Sequence, residues 1–402
     1  MAHALFSDVC WIIRHLKTHG HDAYLVGGAV RDLFLGRPPE DFDIATTASP
    51  DTIFSIFPRV KPVGKAFGTT LVILEHRPYQ LTTLQSSGGS YTAVMETDIL
   101  RRDFTINALF YDPTEDRLID IVGGMRDLHA RLLRPVTTAK EIFEDDPIRM
   151  LRAIRIAHTL GFSIDPSLPP TIRKMRHKIT TISPERIQYE LVKILSLPNV
   201  LDALCPLVKS RILFEIFPEL LPLRDLAQSP YHDFRALSHT FRVLAHTEQL
   251  LVSPPLPSLR PEVPKYVMML AALFHDIGKS DTHLEENGYH HFYGHEKAGA
   301  VKTEEILKRL RFSKKDLIAV KNLVRRHLYP LHLYRHYLDH TLTERAITRF
   351  LRKEKKLISS LLLLSTADQR AKRRKNHKTE VSWTAFLKRL FSPPFNQSQD
   401  GR

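Results

Sequence analysis

The chain has 402 residues, 43% hydrophobic and 25% charged, which is ordinary for a globular protein and enough for two or three domains with buried cores. A formal net charge of +14 and a sequence pI near 9.7 favour a polyanionic partner, nucleic acid first and an anionic membrane surface second. The two cysteines, Cys10 and Cys205, are far apart and lack metal-ligand spacing, so they exclude a disulfide framework and suit reduced thiols in a cytoplasmic protein.

In chain order, "MAHALFSDVCWIIRHLKTHG" predicts an amphipathic helix ending near Gly20, without the layout of a cleavable signal. Short strands follow at "AYLVGG", "FDIAT", "TTLVILEH", "YQLTTLQ" and "RLIDIV", rich in Val, Ile, Leu and Thr and bounded by turn residues. From about residue 138 the strand signals vanish. "DPIRMLRAIRIAHTL" places apolar residues at helical spacing with arginines opposite, and "PERIQYELVKILSL" opens with Pro184 in its first turn. Helices continue to about residue 390, broken by the Pro-rich link "VSPPLPSLRPEVPK", and no internal repeat is seen. "YVMMLAALF" is the most apolar run, far short of the roughly 20 residues of a membrane span, so no membrane is expected as partner. The tail "SPPFNQSQDGR" is polar and expected to be disordered. The pattern predicts a mixed α/β head, residues 1–137, followed by an all-α body with divisions at 138–225 and 226–380 and a polar tail at 381–402.

The stretch "YLVGGAVRDLFLGRPPEDFDIAT" carries the first chemistry. Asp41 and Asp43 flank Phe42. In a strand, residues two apart share a face, so both carboxylates project together at the end of the strand while Phe42 packs behind. Like charges that close need a cation between them, and Mg²⁺ suits a few carboxylates plus substrate phosphates. Gly27 and Gly28 let backbone approach a phosphate. A solvated acidic turn is the alternative for the pair taken alone. In "LRRDFTINALFYD", Arg101 and Arg102 offer guanidinium groups to phosphate oxygens, Asp103 can orient one of them, and Asn107 can reach a sugar or phosphate. "DIVGGMRDL" adds Gly123, Gly124 and Arg126; surface salt bridging is the alternative for these arginines.

"GGAVRDLFLG…EDFDIAT", "RRDFTINAL", "VGGMRDL", "EDDPIRMLRAIRIA" and "SPERI" occur in the order and near the spacings of the class II tRNA nucleotidyltransferase and bacterial poly(A) polymerase family, over roughly residues 22 to 195. The resemblance implies a polymerase-β-like nucleotidyltransferase head at 1–137 and a nucleotide-recognition and RNA-binding region at 138–225. The implied reaction moves a nucleoside monophosphate from CTP or ATP to the 3′ end of tRNA, releasing pyrophosphate. Asp41 and Asp43 would hold two Mg²⁺ ions. Gly27, Gly28, Arg31 and Asp32 match the family's nucleotide-cradling turn, and Arg101, Arg102 and Asp103 its ribose and triphosphate contacts. Asp146 and Arg149 match its base-pairing positions. Three residues apart, they are expected on one helix face, where a carboxylate and a guanidinium read the edge of cytosine or adenine. An acidic helix N-terminus complementing the helix dipole is the alternative there. Arg152 and Arg155 continue that basic face, to support Arg149 or touch RNA.

"GKAFGTTLVI" is similar to the tRNA enzymes, where bacterial poly(A) polymerases carry further basic residues. Two features depart from the pattern. Gln80 stands where a third carboxylate is expected and Gln85 replaces an arginine. The segment from Leu84 to Arg101 is also shorter than the family's flexible loop, a trait associated with enzymes that add only the two C residues. CCA addition, CC-only addition and poly(A) addition are therefore the three products to separate.

The body carries a second set: His239, His275, Asp276, His295, His327 and Asp368. Imidazoles and carboxylates on helices suit Mn²⁺, Fe²⁺, Ni²⁺ or Zn²⁺, which activate water against a phosphoester. The order, with "HDIGK" as its most specific piece, resembles the HD superfamily of metal-dependent phosphohydrolases over roughly residues 235 to 370. That implies an HD domain at 226–380 acting on cyclic or terminal phosphates such as those of broken tRNA, or on nucleotides. His246, His283, His290 and His291 are read as surface or outer residues. The basic run "RAKRRKNHK", Arg370 to Lys378, is expected to meet tRNA phosphates, with a solvated helix end as the alternative.

Overall fold

The computed structural model describes residues 2–39, 41–62, 69–84, 91–227, 235–287, 289–372 and 377–391. Two compact units divide the chain, Met1–Met175 and Arg176–Arg402.

The first unit is built on a seven-stranded sheet. Its strands are β1 (Ala23–Val26), β2 (Asp43–Thr46), β3 (Val60–Pro62), β4 (Thr69–Leu74), β5 (Arg77–Thr83), β6 (Phe110–Asp112) and β7 (Arg117–Ile119), in the order β3-β4-β5-β2-β1-β6-β7. Only β2 and β5 run parallel. All four β1 residues are buried, because both sheet faces are covered. Leu25 and Ile44 face a core closed by Val9, Ile12, Ile13 and Leu16, which lie at helical spacing on Ala2–Thr18. Tyr24, Val26 and Ala45 face the other core, with Val94, Met95 and Ile99 of the helix Tyr91–Leu100. Each such Leu or Ile side chain stabilises the fold by about 1.5–3 kcal/mol through burial. The β4–β5 hairpin turns on Glu75 and His76, with φ of 47° and 67°; two successive left-handed residues match the right-handed twist of the strands.

Helices Ala139–Asp145 and Arg149–Leu160 belong to this same unit, although the sequence groups them with region 138–225. The expected loop after Leu84 is helical from Tyr91; residues 85–90, including Gln85, lie outside the described residues, as do residues 63–68 of the "GKAFG" stretch.

The second unit is helical. Ala236–Val252, Lys265–Phe274, His295–Arg309, Lys314–Arg326 and Ile358–Ala371 are its central helices. Val267 to Phe274 are fully buried, which explains a run apolar on every side. One hairpin interrupts the helices, Leu284–Glu286 with Tyr289–His291. This corrects the expectation of strand-free chain after residue 138: three-residue strands carry too little alternation to be seen. The final helix, His377–Phe391, buries Trp383, Phe386, Leu387 and Leu390. Folded chain thus extends past residue 380, where the tail was expected; residues 373–376 of the basic run and the tail 392–402 lie outside the described residues. Among the described residues, no helix is long and apolar enough to cross a membrane.

Candidate functional site

Asp43 opens β2, paired with Val26 of β1 and in parallel register with the exposed Gln80 of β5. Asp41 is exposed and lies two residues before the strand, and Phe42 between them is buried. The aspartates thus lie at the start of the strand, Asp41 before it and Asp43 as its first residue, while Phe42 is buried as expected. Burial pushes the Asp43 carboxyl up and Arg102 pulls it back; the Asp41 charge raises it further, against Arg152.

Gly27 sits beside this pair with φ of 74°. A Cβ there would stand 3.3 Å from Nη1 of Arg102 and 3.9 Å from Oδ2 of Asp43. The glycine therefore meets a real requirement, a positive φ with ψ of −139° in the gap between a carboxylate and a guanidinium.

Residues from three distant stretches join in one hydrogen-bonded chain. Arg31 donates from Nε and Nη2 to Asp32 at 2.9 and 3.0 Å, and from Nη1 to Oδ1 of Asn107 at 2.7 Å. Asn107 donates to Oδ1 of Asp103 at 3.0 Å, and Arg152 donates to Oδ2 of Asp103 from Nε and Nη2. Asp103 is 6% exposed and also accepts from the N–H of Phe104. Burial opposes its charge, but Arg152, Asn107 and Phe104 outweigh it and hold the carboxyl below its ordinary range.

This corrects two expected roles. Asp103 is turned inward onto Arg152 and Asn107, not onto the neighbouring Arg101 or Arg102. Arg102 is instead held by Asp98, one turn earlier, at 2.9 Å, and lies 5.0 Å over the Phe110 ring. Sequence reasoning missed Asp98, although its i,i+4 spacing to Arg102 was visible. The Arg101 side chain is exposed, and its carbonyl accepts from Nη2 of Arg149 at 2.6 Å.

Asp146 and Arg149 do not share a helix face. Asp146 ends the helix Ala139–Asp145 with φ of −147° and ψ of 100°, and the next helix starts at Arg149. Pro147 is the cause, because it drives the preceding residue out of the helical region. Arg149 pairs with Asp145 at 2.7 Å. Arg152 and Arg155 follow on its helix, both half-buried. At Gly124 a Cβ would meet the Thr105 carbonyl oxygen at 2.3 Å, so this glycine serves packing; Arg126 beside it points to solvent.

In the helical unit all six expected metal ligands converge. His239, His275 and Asp368 form one buried group, and Asp276, His295 and His327 another; within each, the ligand atoms lie within 4.8 Å of one another. Asp276 sits between them, with Oδ2 3.2 Å from Nε2 of His275 and Oδ1 3.2 Å from Nε2 of His295. Asp368 meets His239 at 3.0 Å. Nδ1 of His275, His295 and His327 lies 2.7–2.8 Å from the carbonyls of Ala272, Phe292 and Val324. A carbonyl only accepts, so each Nδ1 carries the proton and each Nε2 turns a lone pair inward. Burial, with His275 and His295, pushes His327 down to about 3, keeping it a neutral ligand. Burial alone would raise Asp276, but His275, Lys279 and His295 hold it well below the carboxylate range. Nε2 of His275 and Nε2 of His295 are buried without a hydrogen bond, so these residues fit a divalent ion that would satisfy them.

A cavity of about 280 Å³ opens onto this centre. It adds Lys279, 2.6 Å from Asp276, Lys372, 3.4 Å from Asp368, and Tyr293, which the sequence reading passed over, and its lining includes His290 and His291 of the hairpin, read there as surface or outer residues. The spacings Asp276/Lys279 and Asp368/Lys372 were the available signals. His283 and His290 hydrogen-bond to each other at 2.8 Å.

Three family models match along the chain. Residues 23–134 match the poly A polymerase head domain, 161–223 the probable RNA and SrmB-binding site of polymerase A, and 236–371 the HD domain.

The chain matches a poly A polymerase head domain and an HD domain.

Its head thus belongs with nucleotidyltransferases, and both domain families generally use divalent metals. A CCA-adding enzyme of Geobacillus stearothermophilus is 39% identical over 209 residues, 50% of this chain and 52% of that protein. One from Bacillus licheniformis is 41% identical over 201 residues, 48% and 50% of the two chains. The chain spans about half the length of the curated relatives it matches. Among solved structures, the Bacillus stearothermophilus CCA-adding enzyme in complex with CTP aligns over 96% of this chain and 82% of its own, with TM-score 0.62 and 26% identity. The fold is also that of the Thermotoga maritima CCA-adding enzyme complexed with tRNA-CCA, at TM-score 0.68, 20% identity, and 96% and 82% coverage.

Proposed function

We propose that the chain is a tRNA nucleotidyltransferase that adds C and A residues from CTP and ATP to the tRNA 3′ end, working in the cytoplasm. The observation that carries this reading is Asp43 facing Arg102 across Gly27, with the Asp41 charge close enough to raise the Asp43 carboxyl. Similarity to CCA-adding enzymes supports it. Gly27 and Gly28 admit the triphosphate, and Arg102, preset by Asp98, receives its oxygens. Arg31 and Asn107 fix the floor of the site. Arg149, with Asp146 at the helix break, reads the base edge. The 3′-hydroxyl oxygen attacks the α-phosphorus, the bond to the β-phosphate breaks, and pyrophosphate leaves. Mg²⁺ held by Asp41 and Asp43 would acidify that hydroxyl and offset charge on the leaving group. The protein's share is positioning and preset charge.

The test uses tRNA transcripts ending at the discriminator base, at C and at CC, incubated with Mg²⁺, CTP and ATP and sequenced at their 3′ ends. CCA on the shortest is expected. A stop at CC makes it a CC-only enzyme, and long A-tails make it a poly(A) polymerase.

The converging ligand set favours a second activity, hydrolysis of phosphoesters in the HD domain with Ni²⁺, Mn²⁺ or Fe²⁺. Turnover of a 2′,3′-cyclic phosphodiester that needs one of these ions is expected; none with any of them overturns it.

A further inference from the structure

The helix Glu344–Glu354 turns charge of a single sign outward. Its inner side is apolar: Ile347 and Phe350 are buried, and the Phe350 ring meets that of Tyr329 at 5.1 Å. The Thr343 hydroxyl caps its start, accepting from the N–H of Ala346 at 3.2 Å. Arg345, Arg349 and Arg352 are exposed and recur after four and three residues, so they form one stripe on the opposite side, about 5–6 Å apart along the axis. Glu344 and Glu354 are the helix's only acidic residues. Both are taken by arginines from elsewhere, Glu344 by Arg389 and Glu354 by Arg326 at 3.6 Å. Among the described residues, no carboxylate lies within ion-pair distance of Arg345, Arg349 or Arg352. Lys353 carries the charge on into a groove of about 260 Å³ that Lys297 and Arg325 also line.

A solvated helix face is ordinarily laced with both signs, acid and base three or four residues apart. A stripe of like charge repels itself unless it meets a polyanion. Three features select which one. The stripe is arginine throughout, and the forked guanidinium suits phosphate. The apolar side is already buried within the protein, which leaves nothing to insert into a lipid surface. No aromatic side chain is exposed between Glu344 and Glu354, so the unstacked bases of a single strand find no platform. A base-paired stem needs none, because it offers its backbone and keeps its bases inside. We propose that the helix Glu344–Glu354 docks a paired stem of the tRNA substrate, with the backbone phosphates of the stem lying along Arg345, Arg349 and Arg352. This surface lies beyond residues 161–223, the segment matched as RNA-binding.

The choice of tRNA rests on the transferase reading above, and the experiment separates the two. Fluorescence anisotropy measures binding of the full chain to a labelled tRNA transcript, a short blunt-ended RNA duplex and a single-stranded oligouridylate. Arg345→Gln/Arg349→Gln should weaken binding of tRNA and duplex about tenfold and lower their log–log salt slopes by about 1.4–1.8, roughly 0.7–0.9 for each lost contact. The single strand should be unaffected. Lys314→Gln/Lys315→Gln removes equal charge from exposed positions on another helix and should change nothing. Unchanged affinity and slope in the arginine variant, equal losses in both variants, or an equal loss for the single strand each overturns the proposal. Vesicles of phosphatidylserine and phosphatidylcholine form a further arm: parent binding that the arginine variant loses, with tRNA binding intact, assigns the stripe to a membrane surface and overturns it. Thermal melting checks folding, and Arg345→Lys/Arg349→Lys should restore the slope. In nucleotide addition the arginine variant should raise KM for tRNA and leave kcat and KM for CTP unchanged. If the parent chain extends no tRNA, the transferase reading falls, and the duplex titration still judges the stripe.

Discussion

Asp103 accepts both Nε and Nη2 of Arg152, at 2.8 and 2.6 Å, across 49 residues of sequence. The pair ties the segment after Arg102 to the helix Arg149–Leu160 and, through Asn107, to Arg31. Arg152→Met leaves a buried carboxylate without its cation. That should cost about 3–5 kcal/mol in denaturant unfolding, with Asp103→Asn/Arg152→Met recovering part of it. Asp103 is held below its unfolded value, so its contribution is present above the ordinary carboxylate pKa and lost as pH falls through the lower folded value. The acid limb of stability should accordingly be shallower in the double variant.

Asp41→Asn and Asp43→Asn should each lower nucleotide addition by on the order of 10³-fold, as expected for losing charge stabilisation at the reacting phosphate. Melting temperature should hold or rise slightly for Asp43→Asn, because burial already disfavours that charge. Hydrolysis in the helical unit should be untouched. If all activities fall together, the head is not a separate catalyst.

Two glycines predict opposite failures. Gly27→Ala forces a side chain into φ of 74° and to 3.3 Å from Arg102, whose guanidinium can yield. It should cost about 1–2 kcal/mol of stability but displace Arg102 and suppress CTP binding. Gly124→Ala puts its Cβ 2.3 Å from a backbone carbonyl, which cannot yield, so soluble yield and melting temperature should fall instead. Calorimetry and CTP titration on both variants check the contrast.

Glu262 caps the helix that carries Asp368. Its carboxylate accepts from the N–H groups of Ser359 and Ser360 at 2.8 and 2.9 Å and from the Ser360 hydroxyl at 2.7 Å. Burial opposes its ionisation, but the Ser360 and Ser359 donors win and hold the carboxyl below its ordinary value. Its stabilisation is thus complete above the unfolded glutamate pKa and disappears as pH falls through the folded one. Glu262→Gln should lose about 1–2 kcal/mol at neutral pH and little at low pH, read by urea unfolding at both.

The elements most legible in sequence were those with local signatures. Aspartates two apart, a glycine pair and a His-Asp doublet fix short-range geometry, and the structure puts the six expected metal ligands of the helical unit together. What was not legible depended on long-range pairing. Nothing near Asp103 announces Arg152, and the expectation that Asp146 and Arg149 share one helix face failed because Pro147 drives Asp146 out of the helical region. The hairpin at Leu284–His291 was overlooked although Asn287, with φ of 52°, precedes Gly288, a strong turn signal.

His275, His295 and His327 are each anchored through Nδ1 to the carbonyl three residues earlier in their own segment. The direction of each lone pair is therefore inherited from local backbone and needs no ion to create it. Exchange of one divalent ion for another then requires no repacking, only dissociation and recapture. Which ion occupies such a centre in a living cell is decided by supply and binding strength rather than by how the chain folds.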